Sequence, residues 1–254
     1  IKSAADSIVL DISTNIDYTV EFITDSPWLT LAETRALRDE KLTFNLAAND
    51  TNLARYAMVA LYDGDKLLAK FDVVQWASNV GDNVVSYTTR GNVEIDAKWS
   101  TRPIYELMNK GVSYTIFKSA VTTIESSTFK GITELLSVNI PESVTTVEPL
   151  AFAGCVNLRK FTGKFATADG RDLVADGRLV ATALSGVTNY TLPESATKVG
   201  RGVFASAATL QSITLHESVT EVEAAAVDAC VSMKSVYCKA QTPPTATLYN
   251  GAWD

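Results

Sequence analysis

The residue types that most often carry catalysis are scarce in this sequence. Its only histidine is His216, so a metal site built from several histidines of one chain is excluded. A serine or cysteine nucleophile would have to use that same imidazole as its base. The three cysteines, Cys155, Cys230 and Cys238, are too few for a disulfide scaffold, and because their number is odd at least one stays unpaired. These residue types favour a binding or structural protein over an enzyme, and we expect no catalytic residue and no cofactor.

Acidic residues offer the remaining chemistry, at two places. The Asp-Gly pairs that begin at Asp169 and Asp176 bring carboxylates together, but the spacing and the closing glutamate of a calcium-binding loop are missing. Asp-Gly is also a common turn sequence. Glu221 and Glu223 lie on the same outer face of one strand, with no acid–base partner for glycoside hydrolysis nearby in the sequence. We therefore expect turns and solvated charges here, and no metal site.

Composition and net charge argue against some classes of binding partner. The 254 residues are 46% hydrophobic and 20% charged, which is enough for one large or two ordinary folded domains. With 22 basic and 29 acidic side chains the formal net charge is −7, which argues against nucleic acid or an anionic membrane surface as the main partner. No apolar run approaches the ~18 residues of a membrane-spanning helix. Since the sequence opens at Ile1 without an export signal, we expect any targeting segment to lie outside it.

The first third of the chain alternates between apolar and polar residues. Alternating apolar positions occur in five short stretches, residues 8–12, 18–22, 42–46, 57–61 and 67–76. A half-buried antiparallel strand places its apolar side chains on one face only, which produces this pattern. Asp63-Gly64 separates the last two stretches and predicts a hairpin turn. We predict a β-sandwich over residues 1–78.

Four short motifs follow one another within this segment. They are Asn15-Ile16-Asp17-Tyr18-Thr19-Val20, Trp28-Leu29-Thr30, Asn49 with Arg55, and Val73-Val74-Gln75. In this order they resemble the BACON domain, a module of gut Bacteroidetes surface proteins. The resemblance implies an immunoglobulin-like sandwich, and the family name implies carbohydrate binding. For Trp28 this leaves two interpretations, a side chain of the sandwich core, which we favour, or a platform for a sugar ring.

From about residue 115 the sequence repeats with a period of about 23 residues. The recurring positions form matched sets: Ile124 and Val147 with Val199 and Val222; Phe129, Phe152, Phe204 and Val227; Leu135, Leu158, Leu210 and Met233; Val138, Phe161, Ile213 and Val236. One such unit cannot bury its own apolar row, so neighbouring units must stack into a solenoid. Each unit is expected to hold two short strands joined by a turn with a buried aromatic residue. We expect Phe129, Phe152 and Phe204 to stack as an internal column.

The repeated pattern runs from Val-Thr through Ala-Phe, a cysteine slot and a leucine to an ending such as Pro141-Glu142-Ser143. Over about residues 115–246 it resembles the BspA-type leucine-rich repeat. Cys155 and Cys230 occupy the cysteine slot, and because equivalent slots lie several turns apart in a solenoid we expect no bridge between them. We predict that all three thiols stay free. His216 takes the slot of Pro141 and is interpreted as a turn residue.

The repeat is interrupted once, because Val147 and Val199 lie more than two periods apart along the chain instead of one. Two Asp-Gly turns between apolar runs predict an inserted hairpin at about residues 164–190. The expected fold therefore has two domains: an all-β immunoglobulin-like sandwich, and a short leucine-rich-repeat solenoid over 115–254. We expect the solenoid to be β-rich, with short helical or turn segments.

Residues 79–114 fit neither pattern. We predict a linker followed by the N-terminal cap that a solenoid requires over its first repeat. Within it, Val93–Ile95 is expected to form a strand. Ser100 to Pro103 has the residue types of a helix start, which predicts a short helix through Ile104 and Met108.

Alternation along the second strand of each unit turns polar residues away from the core. The candidate binding face consists of Asn139, Lys160, Thr162, Asn189, Thr191, Thr214 and Tyr237. A regular polar face is how solenoids usually bind proteins or glycans, although every soluble solenoid displays one.

These observations support two functional hypotheses. The first is a non-catalytic binding or adhesion protein, secreted or exposed on the outer membrane as a lipoprotein, which presents the repeat face to a host or matrix protein. The alternative is a carbohydrate-binding accessory module of a glycan-uptake system. In both, we expect no nucleic-acid partner, and membrane contact only through a lipid anchor outside this sequence.

Overall fold

The computed structural model describes residues 1–13, 16–32 and 40–246. These residues form 21 strands and no helix, so of the helical or turn segments expected in the solenoid the described residues form turns. No helix in these ranges is therefore long and apolar enough to cross a membrane. The chain divides into two compact units, Ile1–Val84 and the residues from Val85 onward.

The first unit is built from two antiparallel sheets. Its strands are β1 (Asp6–Ile12), β2 (Thr19–Phe22), β3 (Leu29–Leu31), β4 (Glu40–Leu46), β5 (Arg55–Asp63) and β6 (Lys66–Gln75). They form the sheets β1-β4-β3 and β2-β5-β6. Phe44 of the first sheet contacts Phe22 and Phe71 of the second edge to face, with ring centroids 6.1 and 5.4 Å apart. The five alternating stretches therefore form strands whose apolar faces enclose one core.

The second unit contains the repeats, and its first strand begins at Val84, the last residue of the first unit. Its strands are β7 (Val84–Thr89), β8 (Tyr105–Asn109), β9 (Val112–Ile116), β10 (Thr123–Ile124), β11 (Leu135–Ile140), β12 (Thr146–Val147), β13 (Lys160–Gly163), β14 (Asp172–Ala175), β15 (Arg178–Thr182), β16 (Asn189–Thr191), β17 (Lys198–Val199), β18 (Ser212–Leu215), β19 (Glu221–Val222), β20 (Ser235–Cys238) and β21 (Thr245–Ala246). Most form two parallel rows. The first row contains β10-β12 and β15-β17-β19-β21, and the second contains β11-β13 and β16-β18-β20.

The strand registers reproduce the sequence period. Val199 pairs with Val222, and Ile213 pairs with Val236, so each residue meets the one that holds the same position in the next unit. Equivalent positions of successive units are thus direct neighbours across a ladder, and their apolar side chains stack. The predicted solenoid is confirmed by this register.

The inserted segment forms a hairpin that joins the first row. β14 and β15 pair antiparallel around Asp176-Gly177, and β15 then pairs parallel with β17. Neither row is continuous across this point, because β12 and β15 belong to different sheets, as do β13 and β16. The repeat region therefore contains two separate pairs of ladders.

The segment before the first complete repeat differs from its prediction. The helix through Ile104 and Met108 is wrong, because residues Tyr105–Asn109 form β8, which pairs antiparallel with β9. Lys110-Gly111 turns the chain between them with positive φ at both residues, which fixes a tight hairpin. The expected strand at Val93–Ile95 is also absent. β7, β9 and β8 extend the sheet of β11 and β13.

The turns between the two rows share a backbone conformation, although their residue types differ from one turn to the next. Two left-handed residues recur in each turn, in the pairs Ser127 and Gly131, Leu150 and Gly154, Gly202 and Ser206, and Ala225 and Ala229. At Gly202 the lack of a Cβ also leaves room for the Leu150 side chain, whose terminal methyl lies where a Cβ would stand. Backbone hydrogen bonds join successive turns, such as Phe129 N–H to Ala151 O at 2.9 Å. The turns therefore form a third stacked row.

Candidate binding face

The seven residues of the candidate binding face lie in two patches. We define patch 1 as Asn139, Lys160 and Thr162, on β11 and β13, and patch 2 as Asn189, Thr191, Thr214 and Tyr237, on β16, β18 and β20. Within each patch the residues are neighbours in register. No ladder joins the two patches, because β13 and β16 belong to different sheets.

Patch 1 is a hydrogen-bonded polar surface. Thr162 Oγ1 donates to Asn139 Oδ1 at 2.9 Å. The hydroxyls of Ser137 and Thr88 are 2.6 Å apart, so the polar row continues onto β7. These bonds hold the outward side chains in fixed positions, while Lys160 stays exposed and supplies the only charge of the patch.

The hairpin insertion closes the free edge of patch 1. Phe161 of β13 donates its N–H to Gly170 O at 2.6 Å. A Cβ on Gly170 would lie 2.7 Å from Phe161 O and 2.9 Å from Lys160 Cγ, so only glycine allows this approach. The loop before β14 thus occupies the position that the next parallel strand would take.

Patch 2 spans three strands without interruption. Asn189 pairs with Ser212, which pairs with Ser235, and Ser212 Oγ donates to Asn189 Oδ1 at 2.7 Å. Two residues further along these strands, Thr191, Thr214 and Tyr237 form a second line of neighbours in register. Tyr237 is 59% exposed, so patch 2 presents a large aromatic side chain beside a line of hydroxyls.

Asp169 and Glu223, two of the acidic residues considered in the sequence analysis, form hydrogen bonds and an ion pair that stabilise the fold. Asp169 Oδ1 accepts hydrogen bonds from Arg171 N–H at 3.1 Å and Thr167 Oγ1 at 2.7 Å, the pattern of a turn. These bonds lower the pKa of Asp169. Glu223 forms a two-pronged ion pair with Arg178 at 2.5 and 2.6 Å, which lowers the pKa of Glu223. Within residues 1–13, 16–32 and 40–246, no group of three or more His, Cys, Asp or Glu is placed to hold a metal ion.

His216 is a buried turn residue. Its Nε2 lies 2.9 Å from Ala196 O and 3.2 Å from Pro193 O, and its Nδ1 accepts the Ser218 N–H at 3.3 Å. Nε2 therefore carries the proton. Nε2 therefore links this turn to the preceding repeat, while Nδ1 stabilises the turn that contains His216 itself.

A buried polar pair lies in the insertion, where repeat comparison gave no signal. Tyr190 Oη donates to Asp172 Oδ1 at 2.8 Å, and both residues are buried. Burial raises the pKa of Asp172 and is also the main cause of the raised pKa of Tyr190. This pair ties the hairpin to β16.

The cysteine slot has a specific role in the repeat. Cys155 Sγ lies 2.9 Å from Phe129 O, and Cys230 Sγ lies 2.9 Å from Phe204 O, so each thiol donates to the turn of the preceding unit. Burial raises the pKa of Cys155 to about 12. Cys238 is exposed on β20.

The comparisons with known proteins concern the repeat region. Residues 78–166 and 182–246 match a family described as BspA type leucine rich repeat region, in six copies. No curated protein matches the chain.

Two solved structures are similar over part of their length. A leucine rich cell surface protein from Faecalibacterium prausnitzii A2-165 is 22% identical, with 48% of this chain and 31% of that chain covered and a TM-score of 0.30. A leucine-rich repeat protein from Eubacterium ventriosum ATCC 27560 is 19% identical, with 41% and 36% covered and a TM-score of 0.30. The matches thus cover about a third of each of those proteins.

Proposed function

Because the chain belongs to the BspA-type leucine-rich repeat family, whose pattern it matches over residues 78–166 and 182–246, we propose that it is a non-catalytic binding or adhesion protein. In this proposal the repeat region presents patch 2 to a host or matrix protein. Patch 1 serves as a secondary contact.

One observation carries the proposal, the uninterrupted polar strip of patch 2 with Tyr237 at its last strand. Tyrosine is enriched in protein interfaces because it offers a large apolar surface with a polar end and loses little conformational freedom on binding. The neighbouring hydroxyls of Thr191 and Thr214 lie in register beside it. The strip needs no rearrangement of the backbone to bind, since the β16-β18-β20 ladder fixes it.

The test is binding of the full chain to an immobilised panel of extracellular-matrix proteins, measured beside a glycan array. We expect binding to a matrix protein that Tyr237→Ala weakens by about tenfold or more. Val231→Ala is the matched control, because Val231 is 83% exposed in the turn just before β20 but lies outside patch 2. Binding that ignores Tyr237→Ala contradicts the assigned face, and binding to glycans alone supports the carbohydrate-binding alternative.

The first unit is proposed to be a BACON-like, immunoglobulin-like sandwich that acts as a spacer. Its motif residues support a structural role, since Arg55 donates to Gln75 Oε1 at 2.9 Å and to Ala47 O at 2.6 Å. The Arg55 guanidinium also lies 4.5 Å from the ring centroid of Trp28, which is half-buried. A sugar would have to displace Arg55 to stack on that face. Trp28→Ala should accordingly leave glycan-array signals unchanged.

We also propose that the protein is exposed at the cell surface, as the resemblance to BspA-type proteins implies, through a lipoprotein anchor outside this sequence. Brief trypsin treatment of intact cells tests this location. Loss of the protein from intact cells while a cytoplasmic marker survives supports surface exposure, and survival of the protein until lysis contradicts it.

A further inference from the structure

The core of the repeat region reaches the surface at the turn around Val227. Phe204 is 1% exposed, whereas Val227, which holds the same slot in the next unit, is only partly buried. Along the second row of strands the exposed fraction of the core slot rises from 2% at Ile213 to 52% at Val236. In a solenoid each unit covers the apolar side chains of the one before it. This end therefore presents an apolar surface that no further unit covers within the described residues.

Two backbone donors at the same end are also free. In the turns around Phe129 and Phe204, a pair of N–H groups donates to the two carbonyls that flank the slot residue of the turn stacked on it. These bonds, of 2.8–2.9 Å, run from Phe129 to Ala151, Gly131 to Ala153, Phe204 to Ala226 and Ser206 to Asp228. The equivalent donors at this end are the N–H groups of Val227 and Ala229, and neither has an acceptor within the described ranges. An occupant that continues the stack must supply two carbonyls, one on each side of its own slot residue.

The sequence that follows β21 carries this pattern. Residues 247–254 lie outside the described ranges and read Thr-Leu-Tyr-Asn-Gly-Ala-Trp-Asp. Trp253 follows Leu248 by five residues, which is the spacing from the first-row strand to the slot residue in the regular units. An alanine comes directly before Trp253, as it does before the slot residue of two regular units. The residues on either side of Trp253 offer the two carbonyls that the free donors require.

Reach and side-chain volume fit the same assignment. Ala246 pairs with Val222, so the connection from β21 to Trp253 is two residues longer than the regular connection of five. A loop extension of this size costs little conformational entropy, and it lets the segment reach the slot without strain. Val227 is smaller than the phenylalanines that hold its slot elsewhere, and a large side chain beside a small one fills a core efficiently.

We propose that residues 247–254 close this end of the repeat region as a cap supplied by the chain itself. The Trp253 indole packs on Val227, and the carbonyls of Ala252 and Asp254 accept the two free N–H groups. Because the segment belongs to the same chain, it reaches this end at a far higher effective concentration than a second copy does. The cap lies on the row of turns and leaves Tyr237 open, so it does not depend on the proposed function.

Val227→Phe tests whether the space beside the slot is occupied, because phenylalanine holds this slot in the other regular units. In the full chain we expect this change to lower the melting temperature of the second unit by about 3–10 °C, since the added ring meets the Trp253 indole. In a Trp253→Ala background the same change should be neutral or should raise the melting temperature, since the ring then fills the emptied space. Tyr249→Ala, in the same segment but outside the slot, is the matched control and should leave the penalty of Val227→Phe in place.

Hydrogen exchange followed by NMR tests the two backbone bonds. We expect the amides of Val227 and Ala229 to exchange at least about tenfold more slowly in the wild-type chain than in Trp253→Ala. Sedimentation at several protein concentrations identifies the occupant in the same samples. An equal effect of Val227→Phe in both backgrounds, or unprotected amides in the wild-type chain, overturns the proposal. Protection that appears only in an oligomer assigns this end to a second copy and overturns it as well.

Discussion

The two cores of the repeat region bury the same sequence slot in different ways. In the first core, Phe129 and Phe152 stack face to face, with ring centroids 5.2 Å apart and planes only 6° from parallel. In the second core, Phe204 occupies the equivalent slot but packs edge to face against Tyr190 at 5.1 Å. The expected column of three phenylalanines is therefore right for its first pair and wrong for Phe204, which belongs to the other core.

This difference shows that a repeat slot fixes the direction of a side chain but not its neighbour. The inserted hairpin replaces a regular unit between Phe152 and Phe204, and it brings Tyr190, whose hydroxyl binds Asp172. A polar pair thus enters a core that the repeat pattern alone would make wholly apolar. Variants in each core test this comparison.

Truncating the aromatic slot should produce the largest effect. Phe152→Ala and Phe204→Ala should each lower the free energy of unfolding by about 3–5 kcal/mol, because each leaves a large cavity in a packed core. Hydrogen exchange should show the loss of protection in the first core for Phe152→Ala and in the second for Phe204→Ala. Thr214→Ala, on the outer face, should change stability by at most ~0.5 kcal/mol. Equal loss in both cores for either variant would contradict the division of the region at the hairpin.

Removing the buried hydroxyl of Tyr190 should have an intermediate effect that depends on pH. Tyr190→Phe should destabilise the protein by about 1–3 kcal/mol at neutral pH, because the Asp172 carboxylate loses its donor. Burial raises the pKa of Asp172, so protonation relieves this carboxylate in the folded state as the pH falls. The deficit of the variant should shrink on acidification towards pH 4, as measured by urea unfolding. A deficit that grows on acidification would refute this role.

The ion pair that links β15 to the turn after β19 should have a smaller effect. Glu223→Gln should lower the stability by about 1 kcal/mol, since the pair with Arg178 is only partly exposed. The lowered pKa of Glu223 means that its contribution is complete above the ordinary glutamate pKa and disappears as the pH falls through the folded-state value. Wild type and variant should therefore become equally stable in acid. Glu221→Gln, which alters the more exposed pair with Lys198, is the control and should cost less.

Thiol labelling requires no substitution, and it compares the cysteine slots of the two cores, Cys155 and Cys230, with the exposed Cys238. Titration of the denatured, unreduced protein should count three free thiols. In the native protein Cys238 should react first and Cys155 last, because Cys155 is buried and its pKa is about 12, whereas Cys230 is half-buried. A count of one thiol would mean that a disulfide exists, with Cys230 and Cys238 the nearest pair in sequence.

The regular part of the fold could be predicted from the sequence because the constant period of the repeat determines which positions meet across the ladders. The two left-handed positions of each turn could not, since the first holds a glycine only at Gly202 and the second only at Gly131 and Gly154. The wrong helix had a capping pattern at its start, but Tyr105 and Leu107 also alternate, and packing beside β9 decided for a strand. Local preference was therefore overruled by the neighbouring strand.

The candidate binding face, too, could be predicted from the sequence only in part. Alternation predicts which residues of each strand point outward, and the pairs Asn139–Thr162 and Asn189–Ser212 confirm that equivalent side chains meet. The separation into two patches depends on the loop at Gly170, whose carbonyl accepts the Phe161 N–H at the free edge of β13.

The constant register has a consequence for how such a chain can change in length. Because Val199, Val222 and their neighbours pair at the step of one whole unit, a duplication or deletion of such a unit restores every rung of both rows. An insertion that is a single residue longer or shorter than a unit would instead shift one strand by one position and turn its core side chains outward. We therefore expect insertions and deletions during evolution to comprise complete units, or loops after which the chain returns to the ladder in the same register. The hairpin is such a loop, because its strand β15 pairs with β17.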